Sequence, residues 1–157
     1  MPHTIDFVNV STEGLESSPV AEALAGLRAN EARYFKNKYD ATFATEPAGS
    51  AKGKKLVKYV ASVLEKERGI VISSPALEAT ELEVDGIRWT HVFYESGLAV
   101  NVLYTLADAG KRAVGFKLSD GMDVPEELSS FKFARQKSKL AGTIRGSYFV
   151  IKGEHSP

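Results

Sequence analysis

Between Leu77 and Ser119 the chain repeats one arrangement four times: a run of alternating apolar and polar residues, then a turn. The runs are LEATELEV, IRWTHVFYE, LAVNVLYTLA and AVGFKLS, separated by Asp85-Gly86, Ser96-Gly97 and Asp108-Ala109-Gly110. Side chains on a strand point alternately to the two faces, so a period of two marks extended structure. Asp-Gly between two such runs is a strong hairpin signal, because both positions of the tight turn need left-handed backbone. Ile87, Trp89, His91 and Phe93 fall on one face. So do Leu98, Val100, Val102, Tyr104 and Leu106 on the next run, and Val114, Phe116 and Leu118 on the last. This pattern predicts an antiparallel meander of four to five strands, counting the short GIVIS segment before it, with one buried face. Glu81, Glu83 and Asp85 are then expected on the solvent face, as are Asn101 and Thr105, unless the sheet curls around a pocket.

Helical spacing dominates the preceding segment. Ser18-Pro19 is a helix start, and Val20, Ala23, Leu24, Leu27, Tyr34 and Phe35 carry a helical stripe to about Asp40, weakened by Gly26 and Asn30. A second helix is expected from Ser50 to Arg68, with Leu56, Val60, Val63 and Leu64 as its apolar stripe and Gly69 as its terminator. A short strand is expected over 4–10, a helix over 125–139 and a final strand at TIRGSYFVIKG. The expected class is α+β: two N-terminal helices packed on the meander, followed by a C-terminal helix and strand, in a single domain over residues 1–157.

The chain has no cysteine, which excludes disulfides, thiolate metal sites and cysteine nucleophiles. No apolar run approaches the roughly 18 residues of a membrane helix, and no signal peptide is visible, so a cytoplasmic protein that does not enter the membrane is expected. Of the three histidines, His3 and His155 lie near the ends, and His91 shares a strand face with Trp89, where a hydrogen-bonded core role is the simple reading. No pair of histidines has metal-ligand spacing. Asp120, Asp123, Glu126 and Glu127 read as a turn and a helix N-terminus rather than a cation site. Neither a metal nor a cofactor is called for, and no catalytic constellation stands out.

Charge is the informative layer. Twenty basic and twenty acidic side chains cancel, yet they are segregated. Residues 32–68 carry nine bases and four acids, and residues 131–157 carry six bases and one acid, each net +5. Residues 1–31 and 69–130 are net −4 and −6. The basic candidates are Lys36 and Lys38 beside Tyr34, Phe35 and Tyr39; Lys52, Lys54, Lys55 and Lys58; and Lys132, Arg135, Lys137, Lys139 and Arg145 near Phe131, Phe133, Tyr148 and Phe149. Lysine and arginine neutralise phosphates and aromatics stack on bases, which is the physical case for nucleic acid or another polyanion.

The segment EPAGSAKGKKLVKYV, residues 46–60, sharpens the question. It approaches a phosphate-binding P-loop, but its spacing is one residue short, Lys55 stands where a serine or threonine belongs, and the preceding residues read as helical. Lysines at a helix N-terminus are unfavourable, so an anion outside the helix would explain them better than stability does. Three readings follow: a non-enzymatic binder of nucleic acid or another polyanion; a protein-interaction module, such as an inhibitor, adaptor or accessory factor, that meets an acidic protein surface or forms a homodimer; and a ligand-binding or enzymatic domain with a pocket between helices and curved sheet, lined by His91, Trp89, Asn101, Thr105 and Tyr104.

Overall fold

The computed structural model describes residues 32–39, 41–106, 112–118, 136–140 and 143–150, with Leu24, Leu27, Ala29 and Leu128 as single positions. The elements are α1 (Ala32–Tyr39), β1 (Thr42–Pro47), α2 (Ala51–Arg68), β2 (Ala76–Val84), β3 (Ile87–Tyr94), β4 (Ala99–Thr105), β5 (Arg112–Leu118), β6 (Gln136–Leu140) and β7 (Thr143–Val150). They make an α+β fold around one antiparallel sheet of order β1-β2-β3-β4-β5-β7-β6.

The meander from β2 to β5 stands where the alternation puts it. Asp85 and Gly86 both adopt positive φ, 54° and 74°, and close the β2–β3 hairpin. The helix α2 also has its expected caps. Ser50 is extended and its Oγ accepts from the Gly53 amide, while Gly69 takes the left-handed conformation, its amide donating to Glu65 and the next one, of Ile70, to Leu64.

Three expectations change. The single helix over 18–40 is interrupted: Leu24 is helical, but Leu27 is not, Ala29 lies in a 3-10 turn, and α1 begins at Ala32. The apolar stripe survives the break, because Leu24, Leu27, Ala32 and Phe35 all reach the core. Second, Thr42–Pro47 is a strand rather than the tail of that helix, paired with β2 from Thr42↔Glu83 to Pro47↔Glu78. Third, Gln136–Leu140 is strand, where a helix to Lys139 is expected, and it pairs with β7. Its lysines and glutamine favour helix in isolation, but a neighbouring strand with free backbone groups overrides that preference. The expected strand over 4–10 and most of the helix from 125 lie outside the described residues.

The sheet is buried on both faces, not one. On the first face α2 sets Leu56, Val60, Val63 and Leu64 against Ala79, Val92, Val100, Val102, Val114 and Phe116. On the second, Leu24, Leu27, Ala32 and Phe35 pack on Leu82, Val84, Ile87, Trp89 and Leu103. The helices α1 and α2 therefore sit on opposite faces, and each also meets β1 at the sheet edge.

Candidate functional site

Helix α2 displays the lysines of the near-P-loop segment. Lys52, Lys54, Lys55 and Lys58 are all exposed, whereas Gly53 and Leu56 between them are buried. The helix has no acidic residue in its first turn. Lys52 approaches Glu81 on β2 at 3.9 Å, so part of its counter-charge belongs to the protein itself. Lys54, Lys55 and Lys58 form no ion pair among the described residues.

The presence of β1 removes one argument against a phosphate cradle, since a strand does precede the loop. The geometry supplies a stronger one. Ser50 Oγ receives the Gly53 amide at 3.0 Å and donates to the Pro47 carbonyl at 2.8 Å, so a side-chain oxygen already stands where an anion would take that amide. Gly53 itself is required by close packing. A Cβ there would lie 2.8 Å from the Pro47 carbonyl carbon, closer still to its oxygen, and 2.9 Å from Ser50 Oγ.

The remaining basic candidates are spread around the fold. Lys36 and Lys38 are exposed on α1, and Lys38 Nζ lies 5.7 Å and 5.4 Å from the ring centres of Tyr34 and Tyr39. Those rings are themselves about two-fifths exposed. Lys137, Lys139 and Arg145 belong to β6 and β7, at the opposite end of the strand order from β1. Six strand spacings of about 4.8 Å separate the two edges by roughly 29 Å measured along the sheet. Lys132 and Arg135 lie outside the described residues.

Glu81 and Glu83 turn out to face α2 and to be half-buried, not solvent-facing as their spacing suggests. Arg88 explains the difference. It is paired across the strands with Glu83, donates to that carboxylate through Nε and Nη2, reaches Glu81 at 3.7 Å and donates from Nη1 to the Tyr104 hydroxyl at 3.0 Å. Burial works to lower the Arg88 pKa, but the hydrogen bonds to Glu83 and Tyr104 and the nearby charge of Glu81 carry it above its ordinary value. The acidic character of the meander is thus partly consumed within the fold.

On the opposite face a row of polar side chains crosses the sheet. Thr45, Thr80, His91 and Asn101 are register partners on successive strands, and Gly115 continues the row on β5. Thr80, His91 and Asn101 are buried, which corrects the expectation that Asn101 faces water. The Thr45 and Thr80 hydroxyls lie 3.1 Å apart, and the His91 ring stacks on Trp89 with centroids 5.2 Å apart. Trp89, His91 and Asn101 share this face, whereas Tyr104 stands on the other with Arg88. The five pocket candidates therefore do not converge on one cavity.

A groove does run along α2. At one end Val57, Ala61, Leu64, Ile70, Ile72 and Tyr94 line a cavity of about 140 Å³. Val57 and Ala76 connect it to a wider depression of about 400 Å³ beside Ala48, Gly49, Lys54 and Lys58. Nothing in the spacing of these residues marks the groove in advance, because GIVIS, 69–73, reads as a short strand of the sheet, whereas the structure has no strand there and β2 begins at Ala76. Among the described residues no helix is long and apolar enough to cross a membrane.

Helices packed on both faces of an antiparallel sheet, one of them lysine-rich, place the chain in the α+β class. The chain belongs to the family described as Domain of unknown function (DUF8821), which matches residues 4–151. No curated protein and no solved structure matches the chain.

Proposed function

We propose that this protein is a non-enzymatic interaction module that recognises an acidic protein surface through the N-terminal half of α2. The observation that carries the reading is the set Lys54, Lys55 and Lys58. They are exposed and without an ion pair among the described residues, and Lys54 closes the first turn of the helix, where positive charge is unfavourable. Complementary charge would steer the partner and fix its orientation. Division of the basic residues between α2, which packs on β2 and β3, and strands β6 and β7 at the other end of the strand order, with Lys52 and Arg88 turned onto the protein's own glutamates, fits discrete contacts better than one continuous nucleic-acid track.

A second reading has one observation of its own. Tyr34 and Tyr39 are exposed beside Lys36 and Lys38, a combination that suits stacking on the bases of a single strand. The test is a salt titration of binding to polyglutamate and to oligodeoxythymidine, with K54Q/K55Q/K58Q and Y34A/Y39A compared with the wild type. Polyglutamate binding that weakens with salt and is lost in the lysine variant supports the acidic-surface reading. Preferential oligonucleotide binding lost in the tyrosine variant would replace it, and no binding at low salt to either polymer would remove both. A homodimer joined through basic and acidic faces is the self-association form of the first reading and would appear as a salt-sensitive doubling of mass in light scattering.

A further inference from the structure

The groove beside α2 has the two properties of a peptide site: an apolar floor and a charged end. Its deeper part, about 140 Å³, is lined by Val57, Leu64, Ile70, Ile72 and Tyr94. Small-molecule and cofactor sites are typically concavities of roughly 300–1,000 Å³ that surround most of the ligand, so this cavity suits one or two apolar side chains. Burial pushes the Tyr94 phenol up to about 12, so it stays neutral and adds no charge to the floor. The open part continues past Val57 and Ala76 to Lys54 and Lys58, neither of which has an ion-pair partner among the described residues. Val71 at the groove wall is 69 % exposed, an apolar side chain left in water at the point where a partner would cover it. Leu77, 48 % exposed, adjoins the lysine end through the Ala48 amide bonded to its carbonyl.

We propose that this groove binds an extended segment of a partner protein in which large apolar side chains stand next to aspartate or glutamate. The apolar residues enter the cavity under Val57 and Ile72, and the carboxylates meet Lys54 and Lys58. The groove favours one polarity, because the exposed carboxylate of Glu65 at the apolar end disfavours acidic residues there. This rests on the acidic-partner reading and specifies its chemistry: charge alone gives attraction, while the cavity adds a requirement for apolar side chains at a set distance from the acid.

The intact protein is used to select binders from a random peptide library, and the selected peptides are measured by fluorescence anisotropy. Two variants separate the components. A61W fills the groove from an exposed helix position, and K54E/K58E reverses the rim charge. Circular dichroism checks that both are folded. The expected result is a consensus joining an acidic residue to apolar ones, with affinity lowered about tenfold by each variant. Peptides without that consensus, or peptides bound equally by A61W, overturn the groove proposal. Polyglutamate is the companion probe. Polyglutamate binding that is lost in K54E/K58E and unaffected by A61W, together with either failure above, overturns the groove and leaves the acidic-surface reading standing. Failure of the wild type to bind polyglutamate or any library peptide overturns both.

Discussion

Replacing Gly53 with alanine sets two well-known effects against each other. Gly53 is the third residue of α2, and intrinsic propensity favours alanine over glycine within a helix by about 1 kcal/mol. Its environment argues the other way. The new Cβ would fall 2.8 Å from the Pro47 carbonyl carbon, still nearer its oxygen, and 2.9 Å from Ser50 Oγ. The obstructing atoms are mostly backbone at the end of β1, so no side chain can rotate away. Overpacking of this kind costs roughly 1–3 kcal/mol. Any shift of α2 away from Pro47 also strains the Ser50 cap, worth about 1 kcal/mol. Subtracting the propensity gain leaves a net loss of about 1–3 kcal/mol. For a chain of this length that corresponds to a melting temperature lower by about 2–10 °C. Thermal unfolding followed by circular dichroism measures it, with G49A as the control, because a Cβ at Gly49 meets nothing within 4 Å. G49A should stay within about 0.5 kcal/mol of wild type. A G53A protein as stable as wild type, or more so, would refute the close approach of α2 to β1.

Three further outcomes are expected. Thr90 is fully buried between Glu81 and Val102, and its hydroxyl has no hydrogen-bond partner among the described residues, so T90V should raise stability by about 1 kcal/mol in urea unfolding. The Tyr94 pKa is raised by burial from 10.0 to about 12, so the unfolded chain releases its proton first as pH rises. Stability should therefore be unaffected by this group below about pH 10 and fall by about 2–3 kcal/mol as pH climbs through 12, and Y94F should remove that component of the alkaline loss. K54Q/K55Q/K58Q should leave the melting temperature unchanged or slightly higher, since positive charge near the start of α2 opposes its dipole by a few tenths of a kcal/mol, and a marked drop would mean that these lysines serve the fold.

The meander is legible in the sequence because its signals are local. Asp85-Gly86 and Ser96-Gly97 sit between alternating runs, and the positive φ of Asp85, Gly86 and Gly97 is what those residue types permit. Burial of both sheet faces is hidden for a chemical reason. Thr90 and Asn101 read as the polar side of their strands, yet both are buried, whereas His91, read on the apolar face with Trp89, is buried as that reading expects. Strand β1 is hidden because Ala41, Phe43 and Ala44 fit the tail of a helical stripe equally well, and only pairing with Leu82 and its neighbours decides the matter. The lysines of α2 are apparent as a charge anomaly from composition alone. Their division into one that meets Glu81 and three that meet no acid among the described residues depends on the register of β2, which no local pattern encodes.

The placement of α2 between two adjacent antiparallel strands also sets an order of events in time. Residues paired between β2 and β3 are joined through the two-residue Asp85-Gly86 turn, whereas β1 and β2 partners are 31 to 41 positions apart, from Pro47↔Glu78 to Thr42↔Glu83. Closing the longer loop costs about 2 kcal/mol more in chain entropy by the logarithmic law. The hairpins should therefore assemble early, with β1 joining only after α2 has folded and docked. In the native protein the same strand should be the first to detach, and its amides should exchange with solvent well before those of β3 and β4. The edge that carries the basic helix is thus also the edge at which this sheet comes apart.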